Sequence, residues 1–193
     1  MKFTYPEGAT PIDAHEAEQL IPPHITLQRE LNEWEEANIL EAVTWAQSSR
    51  TREILSPHFL KDLHERMFRH TWKWAGIYRT SDKNIGVPWY RIQEDVYNLC
   101  EDVKFWINDK SYAFDEAALR FHHRLVLIHP FPNGNGRHAR LAADVLVTRL
   151  GATMFSWGAS SLTTEGETRR AYIKALQSAD RGDIKPLLAF ARS

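Results

Sequence analysis

A single cysteine, Cys100, among 193 residues excludes an internal disulfide and a cysteine-rich zinc site, and fits a reducing compartment. No apolar run approaches the length of a membrane span. The opening Met1-Lys2-Phe3-Thr4-Tyr5-Pro6 lacks the hydrophobic stretch a secretory signal needs. Neither sign of charge dominates: 24 Lys and Arg face 25 Asp and Glu, so the net charge of -1 gives no broad footprint for duplex nucleic acid or an anionic membrane. Walker A and G-x-G-x-x-G sequences are both missing, and so are internal repeats and low-complexity tracts. What is present, 43% hydrophobic residues, suffices for one sizeable core. The expectation is a cytoplasmic protein with no nucleic-acid or membrane partner.

Pro6, Gly8, Pro11, Pro22 and Pro23 break the first 23 residues, which read as an extended arm. Leu27, Leu31, Trp34, Ala42 and Trp45 share one face of a 3.6-residue repeat and predict a helix over 26–48, with the polar Asn38 on the same stripe. Ser56-Pro57 reads as the N-cap and first-turn proline of a helix ending near Arg69. Between Trp72 and Arg91 the run Asn84-Ile85-Gly86-Val87 predicts turns and a short hairpin. Helical spacing returns over 92–108 and 115–128. Gly151 marks the stop of a further helix, Thr164 and Glu167 match a capping box for the next, and Gly182-Asp183 precedes a short last one. The expected fold is all-α with one small β-hairpin. Residues 1–50 form an arm and helix packed on the core, and residues 51–193 form the main domain.

One segment between two expected helices carries chemistry: His129-Pro130-Phe131-Pro132-Asn133-Gly134-Asn135-Gly136-Arg137-His138-Ala139-Arg140. Asn133-Gly134-Asn135-Gly136 can adopt positive φ and align backbone N–H groups, and the helix that follows adds its own free N–H groups and dipole. Arg137 and Arg140, three apart on that helix, could both clamp a polyphosphate, while His129 could act as a base near neutral pH. Each residue taken singly is an ordinary loop or cap residue. His64-Glu65-Arg66-Met67-Phe68-Arg69-His70 is no zinc-protease motif, because histidines six apart lie on different helix faces.

The segment resembles the signature of the Fic (Fic/Doc) family, H-P-F-x-[D/E]-G-N-G-R-x-x-R, with eight of nine specified positions in place. Seven of them form a compact run that chance would supply at on the order of 10⁻⁹ per starting point. Trp74-Ala75-Gly76-Ile77-Tyr78-Arg79, Phe121-His122-His123 and Tyr172-Ile173-Lys174-Ala175-Leu176 are similar to the family as well, and the arm and layout resemble bacterial members labelled "mobile mystery protein B".

The resemblance implies a Fic-type helical bundle and a protein adenylyltransferase. Such an enzyme moves AMP from ATP to a Ser, Thr or Tyr hydroxyl of a target protein and releases pyrophosphate. His129 would be the general base. Gly134, Asn135 and Gly136 would hold the phosphates, through backbone N–H groups and the Asn135 side chain, with Arg137 and Arg140 stabilising their charge. Phe131 would anchor the loop in the core. Asn133 stands where the family has an acidic Mg²⁺ ligand, so weaker metal binding is expected there, and phosphotransfer, another nucleotide donor or a non-catalytic binding module stay open as alternatives. The family's flap maps onto Ile85, Gly86 and Val87, where a target segment would pair with the backbone. For self-inhibition the nearest match to the family's [S/T]-x-x-x-E-[G/N] helix keeps only Glu36, facing Arg140. A solvated acidic face over Glu30, Glu33, Glu35 and Glu36 is the preferred reading there, with a separate antitoxin chain as the other route to inhibition.

Overall fold

The computed structural model describes residues 10–48, 53–159, 162 and 166–193. Its eight α-helices are α1 (Ala14–Ala17), α2 (Gln28–Ser48), α3 (Pro57–Phe68), α4 (Ile92–Asn108), α5 (Phe114–Ile128), α6 (Asn135–Arg149), α7 (Glu167–Asp180) and α8 (Lys185–Ala191). None among the described residues is long and apolar enough to cross a membrane. The expected all-α class holds, and the helices over 92–108 and 115–128 fall within a residue of their expected bounds.

α6 is the central helix. It buries residues on nearly every side, including Leu141, Val145, Leu146 and Val147, and Ala139, Ala142 and Ala143 let its neighbours approach closely. α5 packs along it most extensively, with α4 behind α5, α2 against α3, and α7 against α8. α3 starts as its sequence predicts: the Ser56 hydroxyl accepts from the Phe59 N–H at 3.1 Å, with Pro57 in the first turn. Gly151, at φ +90°, supplies the left-handed residue just past α6. The capping-box position Thr164 lies outside the described residues; the N-cap of α7 is Gly166.

Three local expectations change. The arm is not simply extended: Asp13 and Glu16 close a reciprocal capping box around the short α1, and Leu20 then makes an antiparallel bridge with Trp72. The helix over 26–48 forms as α2, but its buried stripe is Leu31, Glu35, Asn38, Ala42 and Ala46, while Leu27 and Trp34 stay exposed. The hairpin around residues 84–89 does not pair into strands. The Arg79 side chain fills the inside of that loop and donates to the carbonyls of Ser81 and Val87, so the guanidinium takes acceptors that a cross-strand N–H would have used.

Candidate active site

The loop joining α5 to α6 owes its shape to three buried polar clasps. Arg79 donates from Nε to the His129 carbonyl at 2.7 Å, and its backbone N–H donates to the Pro130 carbonyl at 2.9 Å. His64 accepts from the Gly76 N–H at Nδ1, which leaves Nε2 as the donor to the Asn133 carbonyl at 3.1 Å. The Asn135 amide accepts from the Phe131 N–H at 2.9 Å and donates to the Phe131 carbonyl at 2.8 Å. Phe131, fully buried, stacks on His64 with ring centroids 3.7 Å apart and anchors the loop in the core. Gly134 has φ +77°, and a Cβ there would lie 2.6 Å from the Phe68 ring. Only glycine fits this turn.

His129 ends α5 in the left-handed region, φ 54° and ψ 59°, with its side chain buried. Its Nδ1 lies 3.4 Å from the Val126 carbonyl, an atom that can only accept, so Nδ1 carries the hydrogen and Nε2 presents its lone pair. That lone pair faces the Thr10 hydroxyl at 2.7 Å. Burial, with the positive charges of Arg79 and Lys83, pushes the His129 pKa down to about 4. The imidazole is therefore neutral at physiological pH, as a proton acceptor must be.

Beyond His129, Gly134 starts α6. The N–H groups of Asn135, Gly136 and Arg137 form its first turn, where the helix itself offers no carbonyl partner. A helix start of this kind can seat an anion, but the Asn135 side chain is committed to Phe131, so it braces the loop and only backbone N–H groups are left to meet one. Arg140 is half-buried, with its guanidinium carbon 5.3 Å from the centre of the Tyr172 ring. Arg137 lies over the Phe68 ring and donates to Glu35 Oε2 at 2.6 Å.

Glu35 is the residue that sequence reasoning misplaced. Glu36, the candidate inhibitory residue, is exposed, as the preferred reading of a solvated acidic face has it. Glu35 is instead buried, 4% exposed, and bonds both Arg137 and the Trp72 indole N–H, the latter at 2.7 Å. The polar Asn38 on the same stripe was the one available signal that this face meets something polar. Its Nδ2 donates to the Trp34 carbonyl at 2.7 Å.

The Mg²⁺ position also reads differently. Asn133 Oδ1 accepts from the Gly134 N–H at 2.7 Å, and Nδ2 donates to the Thr10 carbonyl at 3.0 Å, so the amide oxygen is turned toward the backbone. Among the described residues no group of three or more His, Cys, Asp or Glu side chains could hold a metal ion. The protein side chains do not fit a Mg²⁺ held by Asn133. In the flap segment, Ile85 and Gly86 are exposed, and Gly86 backs onto His129. Val87 donates its N–H to the Ile128 carbonyl at 3.3 Å and accepts from Arg79, which leaves its backbone turned inward. Of the residues that touch or shape the site, Thr10 carries no motif signal in the sequence, while Arg79 closes the family-like Trp74–Arg79 run and His64 heads the segment rejected as a zinc motif, neither with a site role assigned.

Comparison with known proteins agrees with this architecture. The Fic/DOC family model matches residues 54–147. Protein adenylyltransferase fic-1 of Caenorhabditis briggsae is 34% identical over 119 residues, 60% of this chain and 22% of that protein; the fic-1 of Caenorhabditis elegans matches equally. The chain thus spans about a fifth of the length of the curated relatives it matches. A solved Fic-1 fragment from C. elegans superposes with a TM-score of 0.61 at 25% identity, covering 91% of this chain and 51% of that one. The Bartonella tribocorum effector BepC, solved with bound AMPPNP, shares the fold at a TM-score of 0.67 and 21% identity, covering 93% and 97%.

Proposed function

We propose, on the footing of the Fic/DOC family match over residues 54–147, that this chain is a protein adenylyltransferase, moving AMP from ATP to a hydroxyl of a protein substrate. The observation that carries the reading is the buried His129, whose Nε2 lone pair is turned to a hydroxyl, in this structure that of Thr10, at the lip of the α6 N-terminus. Gly134 and the first-turn N–H groups seat the phosphates, Arg140 and a released Arg137 neutralise their charge, and ATP is the co-substrate. Catalysis is by positioning and electrostatics, without a covalent enzyme intermediate. The nucleotide brings its own divalent cation, since Asn133 is turned away. Ile85 and Gly86 form the edge along which a target segment docks.

The Glu35–Arg137 pair supports self-inhibition: an arginine bonded at 2.6 Å to a buried carboxylate is unavailable to a phosphate until that bond opens. This favours restraint within the chain over a separate antitoxin. The lone, buried Cys100 suits a cytoplasmic setting.

The test uses ATP labelled at the α-phosphate in one tube and at the γ-phosphate in another, each with purified protein, Mg²⁺ and a bacterial lysate. Protein label from α-ATP that disappears in His129→Ala is the expected result. Label from γ-ATP alone would make the protein a phosphotransferase. No label, with no nucleotide-induced shift in melting, would make it a binding module.

A further inference from the structure

Among the described residues Thr10 is the only hydroxyl bonded to the His129 imidazole, and the arm that carries it is built to keep it there. It is 5% exposed, with Oγ1 2.7 Å from His129 Nε2. Its carbonyl accepts from Asn133 Nδ2 at 3.0 Å. Three residues on, Asp13 caps α1, and both Asp13 and Glu16 pair with Lys83, at 3.4 and 2.6 Å, on the flap segment. The Trp74 indole donates to the Glu16 carbonyl, the Ile21 N–H donates to the Thr71 carbonyl, and the Lys73 N–H donates to the Gln19 carbonyl. The arm is therefore fastened on both sides of α1.

A threonine buried only for packing commonly bonds a nearby backbone carbonyl. This one spends its hydroxyl on a side chain 119 positions away whose facing nitrogen can only accept. Asn133 completes the picture. Its Nδ2 meets a carbonyl, which can only accept, and its Oδ1 meets an N–H, so the amide orientation follows from the partners. A carboxylate at that position would turn an oxygen toward the Thr10 carbonyl and repel it. An amide at residue 133 suits a site that holds a segment of its own chain.

Resting on the adenylyltransferase reading above, we propose that Thr10 is an intramolecular acceptor: the enzyme adenylylates its own N-terminal arm at this hydroxyl. His129 Nε2 takes the proton from Thr10 Oγ1. The oxygen attacks the α-phosphorus of ATP and forms the new P–O bond. The bond from that phosphorus to the oxygen bridging to the β-phosphate breaks, and pyrophosphate leaves with the electron pair. The imidazolium then returns its proton to solvent, which restores the base.

The test incubates the full chain with α-labelled ATP and Mg²⁺, alone and with lysate. It uses wild type and a Glu35→Gln background in which Arg137 is released, and it locates label by peptide mapping. The expected result is AMP on the peptide containing Thr10, formed at a rate independent of protein concentration. Thr10→Val abolishes the adduct, Thr10→Ser keeps it, and His129→Ala loses it by at least about a hundredfold. His129-dependent labelling of lysate proteins with none on Thr10 in either background overturns the proposal while leaving the adenylyltransferase reading intact. Faster lysate labelling by Thr10→Val, again with no Thr10 adduct in the parent, makes the arm a plug and overturns it equally. A self-labelling rate that climbs with protein concentration places the acceptor on another copy and refutes the intramolecular step. No α-label on any protein removes both readings together.

Discussion

The two ends of the α5–α6 loop are built in opposite ways. At the His129 end the polar atoms named above are engaged by the protein itself: the His129 and Pro130 carbonyls by Arg79, the Asn133 carbonyl by His64, and the imidazole by Thr10. At the α6 end the first-turn amides have no carbonyl within the helix, and Gly136 and Arg140 are half-buried. A base needs one tautomer and one position, which full burial and saturated hydrogen bonding enforce. An anion seat is left incomplete because its ligand supplies the missing acceptors. Arg137 belongs to the open end by sequence and to the closed end by its bond to Glu35.

The sharpest way to break the contrast is to remove the base. His129→Ala should lower label transfer from α-ATP by about 10²–10⁴-fold while the protein still melts cooperatively. Next in size, Gly134→Ala attacks the hinge between the two ends, since the new Cβ would meet the Phe68 ring at 2.6 Å in a left-handed backbone. A loss of about 2–3 kcal/mol is expected, read by denaturant unfolding.

Acid should undo the closed end together with the buried histidines of α5 and α6. Burial holds His64 and His122 well below the ordinary histidine range, and pushes His129 and His138 down to about 4. The unfolded chain binds these protons near pH 6.5, so between about 6.5 and 4 it carries more protons than the folded one. Stability from these neutral histidines is complete above pH 6.5 and is lost as pH falls toward 4. Melting temperatures across that window should fall steadily, and an acid limb confined below pH 4 would contradict the burial of these rings.

Glu35→Gln sharpens the comparison from the other side. A glutamine can still accept from the Trp72 indole but no longer holds Arg137 by charge. ATP should bind roughly tenfold tighter, equivalent to about 1.4 kcal/mol, as seen in titration calorimetry. The smallest effect is expected for Asn133→Asp, which loses the donor to the Thr10 carbonyl. About 1 kcal/mol of arm docking should go, visible as faster amide exchange around Thr10 with the helices unchanged.

The contrast also tracks what was readable beforehand. The α4 and α5 bounds follow from apolar residues at helical spacing, and the α3 start from Ser56-Pro57, because the forces that set them act within one or two turns. The α2 stripe misled because Leu31, Glu35, Asn38, Ala42 and Ala46 are as helical a set as the apolar one. A glutamate is assigned to solvent unless its partner, here 102 positions away, is known. The hairpin failed for a related reason: nothing local in the sequence shows that the Arg79 guanidinium lies buried inside that loop.

By itself the sequence determined the helical class, most helix limits, and a motif whose residue types suit a base and a phosphate seat. These depend on local spacing and on intrinsic side-chain chemistry. Tertiary structure alone decided that Glu35 rather than Glu36 meets the motif, that it meets Arg137, and that the Asn133 amide faces inward. It also set Thr10 against His129. Each of these is a bond between groups far apart in the chain, formed because a buried donor or acceptor left unpaired costs more than almost any local preference can offset.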